Sequence, residues 1–321
     1  MTQPTQKPSG GITIAIIGPG ALGTLFAARL AQSHISTILF DYRAERAERL
    51  RKHGLRILDS HGTHTVHVHV TADPHELHDV DAALVLVKSH KTEDVAAVLA
   101  EYLPAHAAVF TLQNGLGNIE TLQLHVGRDR VFGGTTAQGG LLEGVGIVRD
   151  TGGGTTILGH LDGTADARLD DFVQALLMAG FSVSITRDIR AALWNKVILN
   201  ATINPVGALT GLRNGQLAEH EPSYKLMVAA AREAFSVARQ HGINVDEQDW
   251  SARLHAICQA TANNLNSMLQ DVRHQRKTEI EAINGAIVRI AEQHGIQTPI
   301  NRTLWYLVAA LEQRYTATAD Q

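Results

Sequence analysis

The stretch from Ile12 to Asp41 constrains this chain more than any other. Ile12 to Ile17 (ITIAII) is a continuous apolar, β-branched run. A strand buried on both faces of a parallel sheet has that composition. Gly18-Pro-Gly20-Ala-Leu-Gly23 follows directly, with the spacing G-x-G-x-x-G. Ala21 to Ala31 then reads as a helix with Leu22, Leu25, Phe26 and Leu30 on its inner side. Thr37 to Phe40 is a second strand, and it ends at Asp41, 18 residues after Gly23. Each part has a physical task. Gly18 permits the tight turn, Gly20 lets the backbone approach a pyrophosphate, and Gly23 lets helix and strand pack closely. The helix N-terminus, opened by Ala21 and Leu22, faces the anion. The strand before it, the helix after it and the acid beyond make this the pattern of a dinucleotide site.

The alternation of strands and helices continues. Ala82 to Val87 is another buried strand, followed by Lys88, and Thr92 is placed to cap a helix through Leu99. Ala107 to Leu112 is a further strand that empties into Gln113-Asn114-Gly115-Leu116-Gly117. Ligands of open α/β sheets bind beyond the carboxyl ends of the strands, where Lys88 and Asn114 fall. Asn-Gly is also an ordinary turn dipeptide. Residues 61–70 (HGTHTVHVHV) carry four histidines, with His67 and His69 on one strand face. No acid or cysteine stands nearby at ligand spacing, so the segment reads as a hairpin strand with a polar outer side and no metal site. Thr155–Gly159 and Phe181–Ile185 finish the sheet, with a helix at Ala165–Ala179 between them.

A chain of 321 residues has room for two domains of roughly 150 residues each. With 44% apolar and 19% charged residues it can build large cores. The net charge of −4, with no block of Lys and Arg, argues against nucleic acid or an anionic membrane as partner. Cys258 is the only cysteine, which excludes an intrachain disulfide and suits a reducing compartment. Residues 1–11 read as a flexible polar tail and not a signal peptide. No stretch reaches the ~20 apolar residues of a membrane span. These features predict a soluble, cytoplasmic protein.

After Asp188 the strands stop. Helical patterns run over Pro222–His241, Trp250–Leu269, Thr278–His294 and Asn301–Tyr315. Asp188 is placed to cap a helix that reads IRAALWNKVILNATINPVG from Ile189. Lys196, Asn200 and Asn204 recur every fourth residue, so they form one polar stripe amid Trp194, Ile198, Leu199 and Ile203. A solvated face and a cleft wall both fit such a stripe. In a cleft, the lysine can hold a carboxylate or protonate a carbonyl oxygen. Ser267 and Glu279 are 12 residues apart, ~18 Å along a straight helix, too far to share one small ligand. Thr278-x-x-Glu281 has the form of a capping box. A break near Gln275–Lys277 is therefore predicted, with a new helix from Glu279, whose carboxylate the helix dipole favours.

At this point the chain resembles the ketopantoate reductase family. The resemblance rests on GPGALG (18–23), VKSHKTED (87–94), QNGLGN (113–118), LWNKVILNATINP (193–205), NSMLQD (266–271) and KTEIEAING (277–285). It implies an α/β fold: an N-terminal Rossmann-type dinucleotide-binding domain at 12–187, then an all-α substrate domain at 188–321, with the active site between them. It also implies NADPH-dependent reduction of ketopantoate to (R)-pantoate, on the route to pantothenate. By position, Lys196 matches the catalytic lysine, and Glu279 matches the carboxylate that fixes the substrate hydroxyl and supports that lysine. Asn200, Asn204 and Ser267 match substrate-binding positions. Asn114 and Lys88 match residues near cofactor and substrate.

A preference for NADP(H) is expected, with some use of NAD(H), from two opposed signals. Arg43 and Arg46 suit the 2′-phosphate of NADP(H). Asp41 suits the ribose hydroxyls of NAD(H). The partner implied is a small 2-oxo acid; oligomeric state is open, with a homodimer among the options. Two other readings remain: a reductase of another branched 2-oxo acid in the same family, and a non-catalytic dinucleotide sensor.

Overall fold

A computed structural model describes residues 11–319, with side chains described to residue 315. The expected tail at 1–11 lies outside them apart from Gly11. The chain divides into two compact units. One holds the chain up to Gln113 together with Asn118–Ile189; the other holds Asn114–Gly117 and the chain from Arg190 onward.

Twelve strands lie in the first unit among the described residues: β1 (Thr13–Ile17), β2 (Ser36–Phe40), β3 (Leu55–Asp59), β4 (Gly62–Val66), β5 (His69–Thr71), β6 (Ala82–Val85), β7 (Ala108–Thr111), β8 (Val131–Thr136), β9 (Gly140–Gly144), β10 (Ile147–Asp150), β11 (Thr156–His160) and β12 (Val183–Ile185). Its helices are α1 (Ala21–Gln32), α2 (Ala44–His53), α3 (Thr92–Tyr102), α4 (Asn118–Val126) and α5 (Ala167–Met178). The main sheet runs β12-β11-β8-β7-β6-β1-β2-β5. From β5 to β8 all neighbours are parallel, and β11 joins β8 antiparallel. Strand order reverses at β1, as in a doubly wound nucleotide-binding sheet. β1, β6 and β7 are wholly buried, with Ile14, Ile16, Leu84 and Phe110 in one core. Phe110 stacks between Phe132 and Phe172, at 4.8 and 3.8 Å between ring centres.

The histidine-rich stretch is not one strand. β4 pairs antiparallel with β3 in a separate sheet of order β4-β3-β10-β9, whereas β5 joins the main sheet beside β2. His67 falls between them, and His69 meets the Glu76 carboxylate. No group of three or more metal-ligating side chains forms among the described residues. Thr92 does not cap α3 either: it is the first helical residue. Its hydroxyl donates to Asn118 Oδ1 at 2.8 Å and accepts from Gln113 Nε2 at 2.8 Å.

The second unit is all helix: α6 (Ile189–Thr210), α7 (Asn214–Glu219), α8 (Glu221–Gln240), α9 (Trp250–Ala260), α10 (Ser267–Arg273), α11 (Asn284–Gln293) and α12 (Pro299–Ala319). Trp194, Ile198, Ala201, Phe235, Leu254 and Ile287 share its core. No helix among the described residues is long and apolar enough to cross a membrane. The continuous helix expected over 250–269 is two helices separated by turns at 261–263. A break does fall where 275–277 was expected, and Gln275 there has φ +52°. The helix expected from Glu279 begins only at Asn284, after a turn at 279–283.

Candidate active site

The glycine loop has the build its spacing predicts. β1 ends at Ile17, and Gly18 follows with φ +105°, where an added Cβ would lie 2.7 Å from Val87 Cγ1. A Cβ on Gly23 would strike the carbonyl oxygen of Gly18, so the first turn of α1 packs directly on the loop. Gly20 faces open space, and α1 starts after it at Ala21 and Leu22. Backbone amides of a helix N-terminus beside open space can take a diphosphate, so these residues fit a dinucleotide. Lys88 lies just past β6, beside Val87, at the same carboxyl edge.

Asp41 ends β2 and is almost fully buried. Its carboxylate is not free. Arg46 forks onto it, Nε to Oδ2 and Nη2 to Oδ1 at 2.7 Å, and the Arg43 amide donates to Oδ1 at 3.1 Å. That hydrogen-bonded pairing raises the Arg46 pKa above its ordinary value. Arg43 and Arg46 were expected to embrace a phosphate together if Asp41 pointed away; instead Asp41 faces Arg46, which neutralises it. The Arg43 guanidinium is left on the surface, donating to the Tyr42 hydroxyl at 3.1 Å and lying 5.4 Å from its ring centre. Lys91, paired with Asp94 at 2.9 Å, also lies within electrostatic reach of Tyr42 and Arg43. Its place in the VKSHKTED segment was its only trace in the sequence.

In the helical unit, α6 presents the stripe Lys196, Asn200, Asn204. Asn204 is buried, and Lys196 and Asn200 are half-buried. Burial pushes the Lys196 ammonium down to about 8, against the opposing pull of the Glu279 carboxylate. Glu279 itself is 7% exposed. It stands in the turn before α11, not in a helix. Thr278 Oγ1 accepts from the Ile280 amide at 3.2 Å, and Glu281 turns to Arg289 and Trp305. The predicted capping box is therefore absent, and helix-dipole stabilisation of Glu279 with it.

Asn114 reaches this turn. Its Nδ2 donates to Glu279 Oε2 at 3.1 Å, and the Leu116 amide donates to the Ala282 carbonyl at 2.8 Å. Gly115 between them has φ +91°, and a Cβ would lie 2.6 Å from the Ala282 carbonyl oxygen. Only glycine fits both conditions. Structure thus brings Lys196, Glu279 and Asn114 together. Asn200 and Asn204 extend the same face. Ser267 opens α10, exposed, behind the N-cap Asn266. Gln113, which sequence reasoning passed over, anchors the start of the loop through Val87 O at 2.9 Å and Thr92.

A nucleotide-binding α/β unit followed by a helical unit with a titratable lysine beside a held carboxylate defines a class. This is an NAD(P)-dependent oxidoreductase. Residues 14–163 match the family described as "Ketopantoate reductase PanE/ApbA", and residues 188–312 match "Ketopantoate reductase PanE/ApbA C terminal". The chain belongs to the ketopantoate reductase family. It is 36% identical to a 2-dehydropantoate 2-reductase of Halobacterium salinarum, covering 92% of this chain and 97% of that one. Among solved structures, it resembles a PanE/ApbA family ketopantoate reductase from Ralstonia eutropha with a TM-score of 0.88 at 29% identity, covering 95% and 100% of the two chains. It also resembles D-mandelate dehydrogenase with NADH and anilino(oxo)acetate, with a TM-score of 0.87 at 26% identity, covering 95% and 100%.

Proposed function

We propose that this protein reduces 2-dehydropantoate to (R)-pantoate with NADPH in the cytoplasm, as a step of pantothenate synthesis. The observation that carries the reading is Lys196, with its pKa lowered to about 8, beside a Glu279 carboxylate held by Asn114. An ammonium of that pKa is charged at neutral pH yet close to release, which suits proton donation to a keto oxygen. Lys196 polarises the 2-keto oxygen and protonates it as the carbon is reduced. Glu279 accepts from the substrate's hydroxyl end and keeps Lys196 charged. Asn114, Asn200, Asn204 and Ser267 orient the substrate. The nicotinamide cofactor, when bound, supplies the hydride. Gly18, Gly20, Ala21, Leu22, Gly23, Asp41, Arg43, Lys88 and Asn114 hold it. Cofactor binding falls to residues 12–187 and substrate binding to 188–321, with Asn114 serving both.

The NADPH assignment rests on charge. Arg46 cancels Asp41, so the strand-end carboxylate no longer repels a phosphate, and Arg43 remains as a cation near it, whereas Lys91 is paired with Asp94 at 2.9 Å. A second reading has one observation in its favour: Asp41 occupies the place that commonly binds the ribose of NAD(H). It is an NADH-dependent reductase of another 2-oxo acid, in line with the likeness to D-mandelate dehydrogenase with NADH. Oxidation of NADPH and NADH against a panel of 2-oxo acids separates the two. The first reading requires the highest kcat/KM for ketopantoate with NADPH; a higher value for phenylglyoxylate with NADH would replace it with the second.

A further inference from the structure

Pro205 lies inside α6, with helix on both sides of it. A helical proline has no N–H, so the carbonyl four residues back, that of Ala201, loses its partner. That carbonyl is buried and still satisfied: Asn284 Nδ2 donates to it at 3.0 Å. Asn284 is fully buried and is the first residue of α11. It also donates to Asn301 Oδ1 at 3.0 Å, and Asn301 in turn donates to the Ala230 carbonyl at 2.9 Å and to Glu233 at 2.8 Å. One amide therefore joins α6 to α11 and, through Asn301, to α12 and α8.

The position of Asn284 gives this tie its consequence. It ends the turn that carries Glu279. The Ala282 and Ile283 amides both donate to the Glu279 carbonyl at 3.1 Å, and the Gly285 amide donates to Ile280 at 3.0 Å. The turn is thus a closed unit with Asn284 at its edge. Ala201, at the other end of the bond, follows Asn200 and lies five residues from Lys196 on the same helix. We propose that Asn284, through the carbonyl freed by Pro205, is a positioning residue that fixes the Glu279 turn against the helix carrying Lys196 and Asn200. It touches no reacting atom. It sets the register between two elements that do, and displacement of about 1 Å in such elements can cost about 100-fold in rate. This inference rests on the reductase reading above.

Three variants test it: Asn284→Ala, Pro205→Ala and the double variant. Asn284→Ala orphans a buried carbonyl and should lower Tm and cut kcat for the 2-oxo acid about 10- to 100-fold, with KM for NADPH changed less than about twofold. Pro205→Ala restores an N–H to the Ala201 carbonyl. In the double variant Tm should therefore recover substantially while kcat stays low, because the helix is satisfied and the tie is not. Recovery of kcat together with Tm would show that Asn284 only satisfies the helix, and would overturn the proposal, as would normal kcat in Asn284→Ala. If Asn284→Ala alone does not fold, the double variant decides. Lys196→Ala measured alongside separates the two levels: normal turnover there removes the functional reading and this inference with it, whereas a loss there with normal kcat in the Asn284 variants removes this inference alone.

Discussion

Asn114 and Glu279 are 165 residues apart in sequence, and a 3.1 Å hydrogen bond from Asn114 Nδ2 to Glu279 Oε2 joins them. The carboxylate is thereby aimed by a neutral donor, and its charge is left to act on Lys196. Glu279→Gln keeps an oxygen that can accept from Asn114 but removes that charge. A hydrogen bond to a charged group is worth about 1.5–3 kcal/mol. The variant should therefore lose roughly 10- to 100-fold in kcat/KM for the 2-oxo acid, spread over both KM and kcat, with Tm little changed. Steady-state kinetics beside a thermal melt checks this. A lowered Tm with normal kinetics would make Glu279 a structural acid.

The pH profile follows from the same pair. Lys196 titrates near 8 in the free protein, because burial lowers it more than Glu279 raises it. Reduction needs the charged form as proton donor, so kcat/KM for the 2-oxo acid should be flat on the acid side and fall as pH rises through about 8. Oxidation of the hydroxy acid needs the neutral form and should rise through the same pH. In Glu279→Gln the raising influence is gone, and the fall in reduction should move to lower pH. Profiles in the two directions that do not mirror each other would take Lys196 out of the proton transfer.

Cofactor preference is predicted to turn on Arg46, although Arg46 points at the protein's own Asp41. Arg46→Ala leaves a buried carboxylate uncompensated at the strand end, where the proposed NADPH would place its 2′-phosphate. KM for NADPH should rise about tenfold or more, and KM for NADH should change far less. Arg43→Ala should also weaken NADPH selectively, through loss of a direct phosphate partner. Equal damage to both cofactors from both variants would show that Arg43 does not read the phosphate and that neutralising Asp41 does not set the preference.

What the sequence revealed depended on how local the cause was. The glycine loop was legible because strand, turn and helix lie within thirty or so residues and each glycine has a steric reason. The stripe Lys196-Asn200-Asn204 was legible because helix periodicity alone creates it. The break near Gln275 could be read from the impossible reach between Ser267 and Glu279. Thr278 and Glu281 misled because partners distant in sequence decide their bonds: Arg289 and Trp305 take the Glu281 carboxylate, and Glu312 takes the Thr278 amide. The histidine run misled because its halves are recruited by different sheets. The pairing of Arg46 with Asp41 could have been anticipated, since an arginine five residues on falls in the first turn of the helix that follows the strand. The bond from Asn284 to Ala201 had no local signature beyond a proline in a helix.

The central claim is that Lys196 gives the proton, and its most direct test is turnover of Lys196→Ala. With ketopantoate and NADPH, kcat should fall about 100- to 10,000-fold, the range general acid catalysis supplies. NADPH affinity, measured by direct titration, should stay within about threefold of the unsubstituted protein, since the glycine loop and Arg43 belong to the other unit. Near-normal kcat in that variant would contradict the account.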